Sequence, residues 1–283
     1  MKFAGSNQSE LLATPGCAAL EVELVFGQST ATTAFATSPL KLLTPRARGK
    51  SVWAYTSSFG GGLVAGDQTQ LEVRLGAGTR CFVGTQASTK VYRNPSSLPC
   101  GHVTRATLDA DSILVFAPDP VQAFADSSYT QQQEFKLDQE SGLVLVDWFT
   151  SGRAARGERW AFKSFQSRNE VFIDGQRVFL DSLLLDPDDG ALTEAQRLGR
   201  FNCLAMLLMI GAPLHAVGEA IIKNVSHQPV GKREALICTA SPVRDGTVVR
   251  LAGESVEAVG RELHRLLTFA ADILGDDPWA RKW

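Results

Sequence analysis

The chain has 283 residues, 44% hydrophobic and 20% charged, the balance of a globular protein with enough apolar material for a large core. Its formal net charge of -2 leaves no excess of Lys and Arg to neutralise a phosphate backbone, which excludes nucleic acid as a natural partner. Met1 to Gln8 lack the apolar stretch of a secretory signal, and the longest apolar run, Cys203 to Ala212, is about half of the ~20 residues that span a membrane. The expected location is cytoplasmic, with no membrane partner.

From Ala18 to about Leu185 the sequence predicts a succession of short strands separated by turn residues. Ser51 to Tyr55 reads as one strand. Leu71, Val73 and Leu75 alternate with Gln70, Glu72 and Arg74, which predicts another with one buried face, ended by Gly76-Ala77-Gly78. Further strands are expected at Cys81 to Thr85, Ser112 to Ala117, Gly142 to Phe149, Trp160 to Phe165 and Val178 to Leu185, with a hairpin turn at Asp174-Gly175. Asp186-Pro187-Asp188-Asp189-Gly190 marks a loop. Thr193 and Gln196 then have capping-box spacing before the apolar stretch Leu198 to Ile210, which predicts a helix. Val256, Val259, Leu263, Leu266, Ala270 and Ile273 recur at three and four residues and stop before Gly275, predicting a second long helix.

Strands first and helices later, without βαβ alternation, predict a mainly β, many-stranded fold with a small helical part in the C-terminal third; α+β is the alternative. The expected organisation is one domain over residues 1–283, β-rich over 18–185 and helical over about 193–222 and 254–274. No internal repeat is visible. The five cysteines, Cys17, Cys81, Cys100, Cys203 and Cys238, are widely spaced and form no C-x-x-C pair, so buried free thiols are expected rather than disulfides or a zinc knuckle.

Enzyme motifs fail on context. Gly60, Gly62 and Ala65 fit a loose G-x-G-x-x-A pattern, yet Gly66-Asp67 leads into a strand where dinucleotide binding requires a helix N-terminus. Gly49-Lys50-Ser51 resembles the end of a phosphate-binding loop, but Thr44 occupies the required upstream glycine position. There is no G-x-S-x-G elbow, and His102, His215, His227 and His264 lie far apart with no i, i+4 pair to preform a metal site.

Two segments carry more glycine and polar function than strand packing requires. In Gly60-Gly61-Gly62-Leu63-Val64-Ala65-Gly66-Asp67 the glycines permit close backbone approach, and the Asp67 carboxylate either caps the loop or faces a cation. Gly84-Thr85-Gln86-Ala87-Ser88-Thr89-Lys90-Val91-Tyr92-Arg93 reads as a strand end followed by hydroxyl, amide and cationic groups, either an exposed turn or the lining of a wet passage.

In these two segments the chain resembles the urease accessory family UreD, also called UreH, whose pattern GG(I/L)VxGD … TTQ(A/S)(A/S)TK(V/I)Y stands here as GGLVAGD and GTQASTKVYR, with Gly84 in place of the usual Thr. Ser38-Pro39-Leu40-Lys41-Leu42-Leu43, Ala117-Pro118-Asp119-Pro120 with Phe124, and the run from Asp147 to Trp160, similar to GRxxxGExW, add to the resemblance. It extends from about Ser38 to Pro187 and weakens beyond. The resemblance implies a mainly β scaffold without enzymatic activity that binds a UreF-type protein, through it a UreG-type GTPase, and the urease apoprotein. It further implies no tightly bound cofactor and an internal route for nickel in transit. Carried over onto this chain, Asp67 and Glu158 are the candidate carboxylates on that route, and Thr85, Gln86, Ser88, Thr89, Lys90 and Tyr92 its polar lining or support. Gly61, Gly62, Gly66, Gly152, Arg153 and Gly157 are the structural positions of the same motifs. Lys90 and Arg93 are each expected to pair with a carboxylate, with Asp67 or Glu158 as candidates, or to face a partner. The rival reading is a β-rich hydrolase using Asp67 and Glu158 as an acid and base pair, which requires one pocket holding both.

Overall fold

The computed structural model describes residues 14–46, 49–96 and 98–280, so the N-terminal stretch read above for a secretory signal lies outside the described residues. In chain order the strands are β1 (Cys17–Val25), β2 (Gln28–Ala36), β3 (Leu40–Leu43), β4 (Val52–Ser58), β5 (Gly62–Leu63), β6 (Gln68–Leu75), β7 (Arg80–Thr85), β8 (Thr89–Val91) and β9 (Cys100–Leu108). They continue with β10 (Ile113–Phe116), β11 (Val121–Ala123), β12 (Ser128–Leu137), β13 (Gly142–Thr150), β14 (Ser164–Ile173), β15 (Gln176–Leu185), β16 (Cys203–Ile210), β17 (Leu236–Val243) and β18 (Gly246–Gly253). The helices are α1 (His215–Ser226), α2 (Val256–Leu266) and α3 (Ala270–Leu274). The fold is mainly β.

Two sheets face each other. One has the order β15-β14-β12-β9-β6-β1-β2 and the other β17-β18-β16-β13-β10-β7-β4-β3, with β5, β8 and β11 attached at the β13 side of the second. From β4 to β14 the chain alternates between the sheets, so β6, β9, β12 and β14 pair in parallel, as do β4, β7, β10 and β13. A parallel pair needs a long crossover, usually a helix. Here a strand of the opposite sheet makes it, and the result is a coil of the β-solenoid kind. Val52 lies beside Cys81, Cys81 beside Leu114 and Leu114 beside Leu143, so each turn takes close to thirty residues, a repeat of backbone that leaves no repeat of sequence.

The core between the sheets is layered. Along β6, Thr69, Leu71, Val73 and Leu75 are buried, the alternation expected from the sequence. In register with them, Val73, Ala106, Phe135 and Val171 form one apolar rung and Leu75, Leu108, Leu137 and Ile173 the next. Leu114, Leu143 and Leu145 from the facing sheet are fully buried against them. Each such leucine contributes about 1.5–3 kcal/mol of transfer free energy before the cost of ordering is subtracted. The helices cover the outer face of the second sheet: α1 packs on β17 and β18, α2 on β16 and β18, and α3 on β7.

Three expectations are corrected. The stretch Leu198 to Ile210 is not a helix: Thr193 to Arg200 forms turns and Cys203–Ile210 is strand β16, between β13 and β18. Met206, Leu208 and Ile210 face the other sheet while Cys203, Ala205, Leu207 and Met209 face the helices, so both sides are buried and the strand reads as an unbroken apolar run. Of the helix expected over 193–222, only the part from His215 is α-helical, preceded by a 3-10 turn at Ala212–Leu214, and it continues to Ser226. Trp160 to Lys163 is loop, with Trp160 at φ 53°, and β14 begins at Ser164. The C-terminal helix lies where the periodicity places it, as two pieces. Ser255 caps α2 by accepting from the Ala258 N–H (3.1 Å), and Gly275 ends α3 in the left-handed region.

Candidate functional site

Toward one end of the coil the rungs turn polar. Thr69, His102, Gln131 and Ser167 stand side by side on β6, β9, β12 and β14, and the next rung is Leu71, Thr104, Gln133 and Asn169. The facing sheet adds Thr56 and Thr85, paired across β4 and β7, and Asp147 of β13. A cavity of about 100 Å³ lies among Thr56, Thr85, His102, Gln131, Gln133 and Asp147. A water needs about 10–15 Å³ on the same measure, so the chamber has room for several. Gly61, Ala87, Ser88 and Thr89 also line it, and the exposure of Gly61 and Ala87 marks its open end.

Asp147 organises the chamber. Its Oδ1 accepts from Gln131 Nε2 (3.0 Å), and its Oδ2 accepts from Ser167 Oγ (2.7 Å) and Asn169 Nδ2 (2.7 Å). Tyr129 OH donates to Gln131 Oε1 (3.2 Å), so one network joins two strands of one sheet, β12 and β14, to β13 of the other. Gln133 Oε1 and Asn169 Oδ1 are buried without a protein partner, two acceptors on the same rung beside the cavity. His102 is held on both sides, Nδ1 by Thr69 Oγ1 (2.8 Å) and Nε2 by Thr104 Oγ1 (3.1 Å). Burial pushes its pKa down to about 4, so the ring is neutral at pH 7. Burial raises the pKa of the Tyr129 hydroxyl, reinforced by the Asp147 charge.

At the open end the sequence motif divides. Thr85, Ser88 and Thr89 line the chamber, and Thr85 Oγ1 donates to Asp119 Oδ2 (3.1 Å) while accepting from the Asp119 N–H (2.7 Å). Asp119 is thus a second carboxylate in the lining. Gln86, Lys90 and Tyr92 are not in it: the Gln86 N–H donates to Thr56 O, Lys90 is exposed, and Tyr92 OH donates to Gly60 O (3.1 Å). Gly61, Gly66, Gly152 and Gly157 all sit at positive φ, where a side chain is strained. Gly62 is required for space, because an added Cβ would run into the Lys90 carbonyl oxygen and the Tyr92 ring.

Asp67 and Glu158 lie outside this lining. Asp67 Oδ2 accepts from the Val64 N–H (2.9 Å), closing its own glycine loop. Glu158 accepts from Arg153 Nε (2.9 Å) and the Ala125 N–H (3.3 Å), and the Arg153 hydrogen bond holds its carboxyl below the usual glutamate range. Arg93 pairs with Asp126 (3.1 Å) rather than with either. Among the described residues no three of His, Cys, Asp and Glu converge to hold a metal ion, and no helix is long and apolar enough to cross a membrane.

The interior residues were absent from the sequence-derived candidates, although one signal was available. Gln131 and Gln133 share the strand parity of Tyr129, Phe135 and Leu137, which places them on the buried face of β12.

A β-coil enclosing a polar, carboxylate-bearing chamber, with a glycine-rich loop at its open end, defines a scaffold class in which polar function is internal to the sheet sandwich. Comparison with known proteins specifies it: the chain belongs to the UreD urease accessory protein family, which it matches over residues 14–283. It is 47% identical over 266 residues to the urease accessory protein UreD of Sorangium cellulosum, covering 92% of this chain and 83% of that one. Similarity to the UreD of an Anaeromyxobacter species is 36% over 277 residues, covering 98% and 93%. The urease accessory protein D of Arabidopsis thaliana is 34% identical over 288 residues, covering 92% and 98%. The role of this chain is therefore that of a urease accessory protein.

Proposed function

We propose that this protein assembles with a UreF-type protein and, through it, a UreG-type GTPase on apo-urease, and that its chamber is a stretch of the route by which nickel reaches the urease active site. The observation that carries the reading is the donor set of the chamber. Hydroxyl and amide oxygens of Thr56, Thr85, Gln131 and Gln133 surround two carboxylates, Asp119 near the open end and Asp147 inside. Oxygen donors and water exchange a divalent cation readily, whereas imidazole and thiolate retain it.

The nearby softer donors are withheld. Both nitrogens of His102 are engaged by threonines. Cys100, beside Tyr129 in the rung above, donates to Ser128 O (3.3 Å), and burial raises its pKa to about 11, so it stays a thiol at neutral pH. Asp67 and Glu158 belong to the proposal as outlying carboxylates, each already engaged by a loop N–H or Arg153. The hydrolase alternative requires both in one pocket, and neither lines the chamber.

Size-exclusion chromatography with mass determination, after co-expression with the UreF-type and UreG-type proteins of the same organism, tests the assembly. A defined complex is expected. A monomer that ignores both partners overturns the reading.

A further inference from the structure

The motif residues that do not line the chamber come together on an exposed face beside its opening. Lys90 of β8 lies beside Gln122 of β11, and both project outward, because Val91, Val121 and Ala123 take the buried positions. Tyr92 and Phe124 continue the same outward parity and meet edge to face at 5.6 Å. The Arg153 guanidinium stacks over Phe124 at 4.5 Å, and Gln122 Nε2 donates to Gly152 O (3.2 Å), tying the segment after β13 to this face. Tyr92 OH reaches Gly60, next to the exposed Phe59.

The charge of this face is one-sided. Arg93 and Arg153 are matched by Asp126 and Glu158. Lys90 and Arg156 are exposed and form no ion pair among the described residues; Arg156 helps to lower the pKa of Glu158, but that carboxylate is already bonded to Arg153, so the face carries two cations in excess of its carboxylates. An aromatic pair stacked with Arg and rimmed by unmatched cations has the composition of a protein-binding hot spot with an electropositive rim. A solvated sheet face looks different here: on the outer side of β6 and β12, Glu72, Arg74, Glu134 and Lys136 mix both signs and carry no aromatic.

We infer that the face built by Lys90, Tyr92, Phe124, Arg153 and Arg156 docks an acidic surface segment of a protein partner, bringing that partner against the open end of the chamber. The inference rests on the assembly reading above, and it specifies what the partner presents: carboxylates for Lys90 and Arg156, with an apolar or planar group against Tyr92 and Phe124. The side chains of Lys90 and Arg156 are exposed and make no hydrogen bond or ion pair among the described residues, and Arg153 still holds Glu158 when they are changed, so reversing them tests docking without dismantling the site.

The experiment measures association and dissociation rates of the full chain with the urease apoprotein and, separately, with the UreF-type protein of the same organism, at low and high salt. For the partner that uses this face, Lys90→Glu combined with Arg156→Glu is expected to slow association roughly tenfold or more at low salt, and the difference is expected to shrink as the Debye length falls from about 10 Å at 0.1 M to about 3 Å at 1 M. The same charge change on the opposite face, Arg74→Glu combined with Arg105→Glu, is expected to leave the rate within about twofold, because those sites are screened from the contact. Wild-type binding with no low-salt slowing in the first variant, or equal slowing in the second, overturns the docking face alone. Wild-type protein that binds neither partner overturns the assembly reading on which it rests.

Discussion

Replacing Asp147 by alanine removes one carboxylate from three buried donors at once. Gln131, Ser167 and Asn169 are 5%, 1% and 0% exposed, so none of them turns to bulk solvent when their acceptor disappears. A buried donor left without a partner costs about 1–3 kcal/mol. The chamber beside them admits several waters, which recover part of this, and the expected net loss is about 2–4 kcal/mol. In a chain of this size that lowers the melting temperature by about 4–12 °C, measurable by differential scanning fluorimetry or calorimetry.

Asp147→Asn separates shape and hydrogen bonding from charge. Its carbonyl keeps one acceptor, and its amide has a receiver available, because Asn169 Oδ1 has no partner in the protein. The expected cost is below about 1 kcal/mol, because the buried hydrogen bonds are exchanged rather than lost. Wild-type melting of the alanine variant, or an asparagine variant as damaged as the alanine one, refutes the network described here.

Three further outcomes follow from the same geometry. Glu158 has its folded pKa held below the ordinary glutamate value by Arg153, so the stability it contributes is present above that ordinary value and is lost as pH falls through the lowered one; NMR titration should show this, and Arg153→Met should return the midpoint toward normal. Gly62→Ala is expected to disorder the glycine loop and cost about 1–3 kcal/mol by overpacking, whereas Gly60→Ala, with open space around its Cβ, costs only the roughly 1 kcal/mol of a left-handed backbone; chemical denaturation distinguishes them. Thiol titration at pH 8 in native conditions should find Cys238, which is partly exposed where the other four cysteines are buried, reacting slowly, since burial raises it to about 11. Cys203, raised to about 12, and Cys81, raised by complete burial, should react only on unfolding.

The sequence made legible what repeats locally. The parity of Leu71, Val73 and Leu75 placed β6 and its buried face, and Asp174-Gly175 placed the hairpin between β14 and β15. It hid what depends on neighbours distant in the chain. Cys203 to Ile210, rich in Leu and Met, has good helical propensity, and only its position between β13 and β18 makes it a strand. The parallel coil was illegible because its crossovers are themselves strands, without the helices that ordinarily announce parallel sheets.

The site divided in the same way. Glycine-rich loops and the run from Thr85 to Tyr92 stand out by composition. The chamber's inner wall does not, because Thr69, His102, Gln131 and Ser167 become one polar rung only when four strands far apart in sequence lie in register. Asp67 and Glu158 drew attention as carboxylates within motifs, whereas Asp147 sits between Val146 and Trp148 in a strand of core residues, and its role rests on partners from β12 and β14.

The nickel content of urease activated in the presence of chamber variants bears most directly on the transit role. Asp147→Asn removes the inner charge, and Ser88→Trp places an indole at the open end. With complexes of unchanged mass and stoichiometry, the account predicts urease that is depleted in nickel and correspondingly inactive with either variant. Full nickel loading by both variants would contradict passage through this chamber.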